Sequence, residues 1–229
     1  MRKTYIFWHI LMQNHYLEIV TQQLKMILES GLYDTVDNIY IGCLGNELEL
    51  KQLQKVIEQY NKIKIVAYSS LVTEYEFHTL RHLKRIADNK ENHYGLYIHA
   101  KTTSYPRNHK SMEGGLFWVD YMNYFNISKW QSCIDKLDIG YDTCGVKWVS
   151  ARKSPSLKGH YSGNFFWYNS EYVKSLKPVD MLNTKDRWEA EMYIGLNSPL
   201  SATLCQYFCD YNTKGKFSDF IKSFDNFDK

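Results

Sequence analysis

Four prolines in 229 residues, five cysteines, a net charge of only +3 and no long apolar run: each shortage closes off a class. No linker, repeat or low-complexity run divides the chain, so it reads as a single domain over 1–229. The cysteines (Cys43, Cys133, Cys144, Cys205 and Cys209) are odd in number and contain no CxxC pair, which suits a reduced, cytoplasmic protein. Cys205 and Cys209 stand four apart, but no second pair completes a zinc site. The weak positive charge does not mark a nucleic-acid binder. The opening stretch MRKTYIFWHILMQ is basic and apolar, yet His9 and Gln13 interrupt it. It has no small-residue cleavage signal and falls short of the roughly 20 apolar residues of a membrane span. Peripheral contact with a membrane stays open.

What is present is aromatic: 19 Tyr, 11 Phe and 6 Trp make up 16% of the chain. Tyr and Trp carry polar handles, so the excess suits an aromatic-lined sugar or base cleft, and compositional bias explains it equally. The first half alternates in type. Strands are expected at Thr4–Trp8, Asn38–Cys43, Lys62–Ala67 and Tyr94–His99, and helices at Tyr16–Ser30, Glu47–Tyr60 and Phe77–Asn89. Gly31 stops the first helix. This rhythm predicts a doubly wound, mainly parallel sheet flanked by helices. Residues 1–105 form the regular half, and 106–229 an irregular one. There a polar loop is expected over Lys101–Gly115, helices at Leu116–Phe125, Lys129–Leu137, Ser170–Leu176 and Asp186–Gly195, and strands at Asp142–Val149 and Gly163–Tyr168.

Three constellations carry chemistry. The first is His99-Ala100-Lys101, at the carboxyl end of the fourth expected strand, where open α/β sheets gather their ligands. Both side chains suit a phosphate, and His99 is alternatively a ligand for Mn²⁺ or Mg²⁺. Two solvated basic residues at a strand end are the plainer account. No D-x-D pair occurs anywhere, and the E-x-E triplets Glu47–Glu49, Glu74–Glu76 and Glu189–Glu191 do not follow a strand. A lysine in that place can neutralise a departing diphosphate without metal. The second constellation is Gly159–Trp167, where His160, Gly163 and Asn164 offer a titratable group, close backbone approach and an amide beside an aromatic wall. The third is Asp186–Gly195, where Arg187 and Glu191 share a helix face at i, i+4 and Glu191 suits a general base. Their plainer accounts are a tight turn and a surface ion pair. His9, after the first strand, suits a base or ribose pocket, and Trp148 at a strand end is within reach of the cleft. His15, His78, His82, His93 and His109 read as surface residues.

Taken in order, these segments resemble the GT-A-like glycosyltransferases of bacterial polysaccharide clusters and large DNA viruses. The motifs are SGLY at 30–33, IYIG at 39–42, YEFHTL at 75–80, YIHAK at 97–101, WVDYMNYF at 118–125, YDTCGVKW at 141–148, HYSGNFFW at 160–167 and RWEAEMYIG at 187–195. Thr102 stands where that pattern commonly has glycine, and nothing after about residue 203 matches. The resemblance implies a GT-A fold with His-x-Lys in place of D-x-D, and a donor linked to UDP, GDP or dTDP. It implies a hexosyl- or deoxyhexosyltransferase whose acceptor is a glycan or lipid-linked glycan of a surface polysaccharide or glycoprotein. His9, Tyr75, Thr79, His99 and Lys101 would then face the donor. His160, Gly163, Asn164 and Trp148 would face sugar and acceptor, and Glu191 would act as base with Arg187 holding it. A non-catalytic nucleotide- or glycan-binding module of a larger enzyme is the alternative. A nucleotidyltransferase fits less well, because HILMQNHY at 9–16 replaces the Gly-rich basic loop such enzymes carry.

Overall fold

The computed structural model describes residues 2–150, 158–207 and 212–225. The chain opens with β1 (Lys3–Leu11), α1 (Tyr16–Glu29), the short α2 (Leu32–Thr35), β2 (Asn38–Leu44), α3 (Glu47–Ile57), β3 (Ile63–Ser69), α4 (Phe77–Asn89) and β4 (His93–His99). It continues through α5 (Met112–Asn123), α6 (Trp130–Asp138), β5 (Thr143–Gly145), β6 (Trp148–Val149), β7 (His160–Tyr161), β8 (Phe166–Asn169), α7 (Ser170–Ser175), α8 (Arg187–Glu191), β9 (Ser201–Thr203) and α9 (Phe217–Asp225). Seven strands form one sheet in the order β3-β2-β1-β4-β8-β5-β9, and β6 and β7 pair separately. The first four strands run parallel, β8 lies antiparallel between β4 and β5, and β9 is parallel to β5. The predicted α/β class with a mainly parallel, helix-flanked sheet is the observed one.

Local chemistry explains the regular half. β1 reads as a continuous apolar run because both of its faces are covered. Ile6, Trp8 and Ile10 enter a core with α1 and α5, whereas Tyr5 and Phe7 enter a second core with α4. The period-2 alternation puts His9 on the α4 side, directly beside its register partner His99. Gly31 adopts φ +74°, the left-handed conformation that ends α1. Asn46 and Glu49 close a reciprocal capping box at the start of α3.

The second half departs from expectation. The Lys101–Gly115 loop is shorter, because α5 already begins at Met112 and takes in Gly114 and Gly115. A π-helical turn at Tyr124–Ser128 follows α5. The strand expected over Asp142–Val149 breaks into β5 and β6, with Lys147 at φ +52° between them. The helix expected over Asp186–Gly195 divides into α8 and a 3₁₀ turn at Tyr193–Gly195. His15 and His93 are buried rather than surface residues. Cys43, Cys133, Cys144 and Cys205 are free thiols, and Cys209 lies outside the described residues. Among the described residues, no helix is long and apolar enough to cross a membrane.

Candidate functional site

A pocket of about 520 Å³ opens over the carboxyl ends of β1, β2 and β4, the crevice where such sheets bind ligands. His9 and Leu11 reach it from β1, Leu44 from β2, and Tyr75 and Glu76 from the segment before α4. His99 closes β4, and the loop from Ala100 to Tyr105 forms one wall. The irregular half supplies Trp118 from α5, His160 from β7, Gly163 from the β7–β8 turn, and Arg187, Trp188 and Glu191 from α8. The two halves thus meet at this cavity.

Backbone strain concentrates around it. Tyr75 holds φ +49° with ψ −139°, Thr102 φ +74° and Asn164 φ +61°, conformations that cost free energy and persist only where neighbours enforce them. Gly163, at φ +93°, packs so closely on α5 that an added Cβ would lie 2.3 Å from Met122 Sδ.

The side chains are held from behind. His99 Nε2 donates to the Gly163 carbonyl at 2.7 Å, tying β4 to the β7–β8 turn. Burial, reinforced by Lys101, pushes this imidazole down to about 3, so it is neutral. His9 is likewise held well below the usual histidine range by burial, then by His78 and His99. The Lys101 ammonium is 4.6 Å from the Trp118 ring centroid. Burial lowers its pKa, while Glu191 and Glu76 counter that effect. Glu76 is raised by burial and opposed by hydrogen bonds from the Tyr97 hydroxyl (2.7 Å) and the Asn164 amide (2.6 Å), with Lys101 and Arg187 adding to that opposition.

Eight residues singled out in the sequence converge on this pocket: His9, Tyr75, His99, Lys101, His160, Gly163, Arg187 and Glu191. Three do not line it. Thr79 lies behind His9, its hydroxyl 2.9 Å from Nδ1, and Asn164 reaches the cavity only through Glu76. Trp148 packs edge-on against Tyr161 and covers Gly159. Arg187 and Glu191 share the pocket without pairing: among the described residues no ion pair joins them, and the guanidinium stacks on Trp188 at 4.6 Å. Glu76 and Trp188 also line it and were given no role in the sequence. Glu76 belongs to an E-x-E triplet that follows β3 only after a short turn, so its tertiary partners rather than its spacing reveal it.

A divalent cation finds no protein cage here. Among the described residues, no three His, Cys, Asp or Glu side chains converge to hold one, and His99 Nε2 is committed to the Gly163 carbonyl. The oxygen ligands that the pocket itself offers are the carboxylates of Glu76 and Glu191, set beside a neutral imidazole and two cations.

Among solved structures, the chain is similar in fold to a cytidylyltransferase from Leptospira borgpetersenii serovar Hardjo-bovis. The TM-score is 0.53 and the identity 7%, over 99% of this chain and 95% of that one. Lower likeness relates it to a 4-diphosphocytidyl-2C-methyl-D-erythritol synthase (TM-score 0.46, 11% identity, 98% of each chain). A glucosyl-3-phosphoglycerate synthase from Mycobacterium tuberculosis follows at TM-score 0.41 and 9% identity, over 98% of this chain and 75% of that one. At such identities the likeness is one of fold alone. No curated protein sequence matches the chain. The family described as "Domain of unknown function (DUF8361)" matches residues 6–211, and the chain belongs to it.

Proposed function

We propose that the pocket binds a nucleotide sugar and that the protein is a glycosyltransferase. The observation that carries this reading is the convergence of Lys101, Arg187 and Glu191 on one cavity at the carboxyl ends of β1 and β4. Two cations suit a diphosphate, and a carboxylate beside them suits deprotonation of an acceptor hydroxyl. The nucleoside would occupy the His9, Leu11, Leu44 and Tyr75 side, with the diphosphate toward Lys101.

The step balances as a displacement. The acceptor hydroxyl gives its proton to Glu191, and its oxygen bonds to the anomeric carbon. The bond from that carbon to the diphosphate breaks, and the electron pair leaves on a phosphate oxygen that Lys101 and Arg187 neutralise. Neutral His99 holds the Gly163 turn in place rather than taking part in proton transfer. With retention of configuration, Glu191 would instead orient the acceptor. The acceptor is proposed to be a glycan, free or lipid-linked, handled in the cytoplasm by one domain spanning 1–229.

Thermal-shift and calorimetric titration with UDP-, GDP- and dTDP-sugars, each with Mn²⁺ and with EDTA, test the assignment. The expected result is selective binding of one nucleotide, little changed by EDTA. Binding to none of them would overturn the reading. Binding without transfer to any glycan acceptor would favour the non-catalytic module.

A further inference from the structure

Resting on that reading, we infer that Glu76 recognises the transferred sugar: its Oε1 accepts a hydrogen bond from a sugar hydroxyl, which selects a hexose bearing that hydroxyl over its deoxy analogue. The geometry is specific. Both hydrogen bonds that fix Glu76, from the Tyr97 hydroxyl and the Asn164 amide, land on Oε2. Among the described residues no hydrogen bond reaches Oε1, which is not one of the buried polar atoms sealed off from solvent. Glu76 lines the pocket, so the remaining oxygen is presented there.

The carboxylate is preorganised. Tyr97 is wholly buried in β4, and Asn164 is buried and held in a left-handed turn. Neither can follow a displaced Glu76, so ordering this oxygen costs the ligand little. Its position identifies the ligand group. Asn164 comes from the β7–β8 turn, and the charges that reach Glu76 are Lys101 and Arg187, the pair assigned to the diphosphate. The diphosphate is flanked by ribose and transferred ring; with the nucleoside toward His9, Leu11 and Leu44, the ring falls on the side of the β7–β8 turn, to which Asn164 ties Glu76. A carboxylate accepts hydrogen bonds and donates none, so its partner carries O–H or N–H. A site built to bind a hydroxyl rejects the analogue lacking it, because its own polar group is left unpaired.

The test uses whichever of UDP, GDP and dTDP binds the wild-type protein. That nucleotide is offered bare, as its glucose conjugate (mannose for GDP), and as the 2-, 3-, 4- and 6-deoxy analogues. Wild type is expected to bind one deoxy analogue about ten- to a hundredfold more weakly than the parent. Glu76→Gln, which keeps the shape, should shrink that difference several-fold, and Glu76→Ala should abolish it, with the bare nucleotide bound no more weakly than by wild type. If Glu76→Ala fails to fold, Glu76→Gln still decides. Equal binding of all analogues by wild type, a difference that survives both variants, or weakened binding of the bare nucleotide would each overturn the proposal while leaving the nucleotide-sugar reading intact. No nucleotide binding by wild type would remove both.

Discussion

At the scale of single residues, the proposed reaction rests on the carboxylate of Glu191, and the histidines are kept from it. Glu191→Gln preserves shape but cannot take a proton, so turnover should fall by about 10²–10⁴-fold with donor affinity retained. Separate measurement of kcat and donor Kd checks this, and parallel loss of both would make Glu191 a binding group. The histidines that packing has neutralised leave their mark on stability instead. His82 lies against Tyr40, with ring centroids 4.9 Å apart, and its Nδ1 accepts from Arg85 at 2.9 Å. Burial and Arg85 push it down to about 4. Between the ordinary value near 6.5 and that lowered one, the unfolded chain takes up a proton that the folded chain refuses. Stability is therefore complete above about pH 6.5 and drains away as pH falls toward 4. His78 is also held near 4, so the two add. Melts between pH 7.5 and about 4.5 should show a falling Tm, less steep in His82→Phe. These side chains read as surface positions in the sequence because α4 alternates them with charged residues. That they face Gly42 and Tyr40 follows from the β2 register and is invisible to local pattern. Glu76 was hidden for the same reason: its partners Tyr97 and Asn164 lie 21 and 88 positions away.

At the scale of elements, legibility tracked length. β1 to β4 and the helices α1, α3 and α4 between them were readable because each runs for seven or more residues, enough for a period to declare itself, whereas the four-residue α2 was not. The elements that complete the pocket are shorter. β6 and β7 have two residues each and α8 has five, too few for any periodicity. Backbone contacts position them, and the tightest joins Gly195 to Gly159: a Cβ on Gly195 would lie 1.6 Å from the Gly159 carbonyl oxygen. Neither partner is a side chain that can swing aside. Gly195→Ala should therefore push the Tyr193–Gly195 turn away from β7 and carry α8, with Arg187 and Glu191, out of register. The expected cost is about 2 kcal/mol or more, a Tm lower by roughly 5 °C, with turnover reduced beyond what the stability loss explains. Differential scanning calorimetry and assay of the folded fraction separate these effects. Full activity in a folded Gly195→Ala variant would show that α8 does not depend on this contact.

At the scale of the whole molecule, the regular half, to about residue 105, ends on an unfinished sheet. Its last strand, β4, has one edge on β1 and the other on β8, which arrives from the irregular half after some sixty intervening residues. The core on the α1 side of β1 is likewise completed by Phe117, Tyr121, Phe125 and Trp167, and that on the α4 side by Tyr161, Phe166 and Tyr168. A fragment ending at 105 would expose the β4 edge together with both apolar faces of a buried parallel strand, conditions that invite edge-to-edge association. It should bind no nucleotide, although His9, Tyr75, His99 and Lys101 all lie within it. The reason is physical: the Gly163 carbonyl fixes His99, and Trp118 faces Lys101. Size-exclusion chromatography and circular dichroism of the fragment, alone and mixed with residues 106–229, test this. Aggregation alone and recovery of a monomeric, nucleotide-binding complex on mixing are expected. A soluble fragment that binds nucleotide unaided would make the regular half self-sufficient, and the second half an addition to a site already formed.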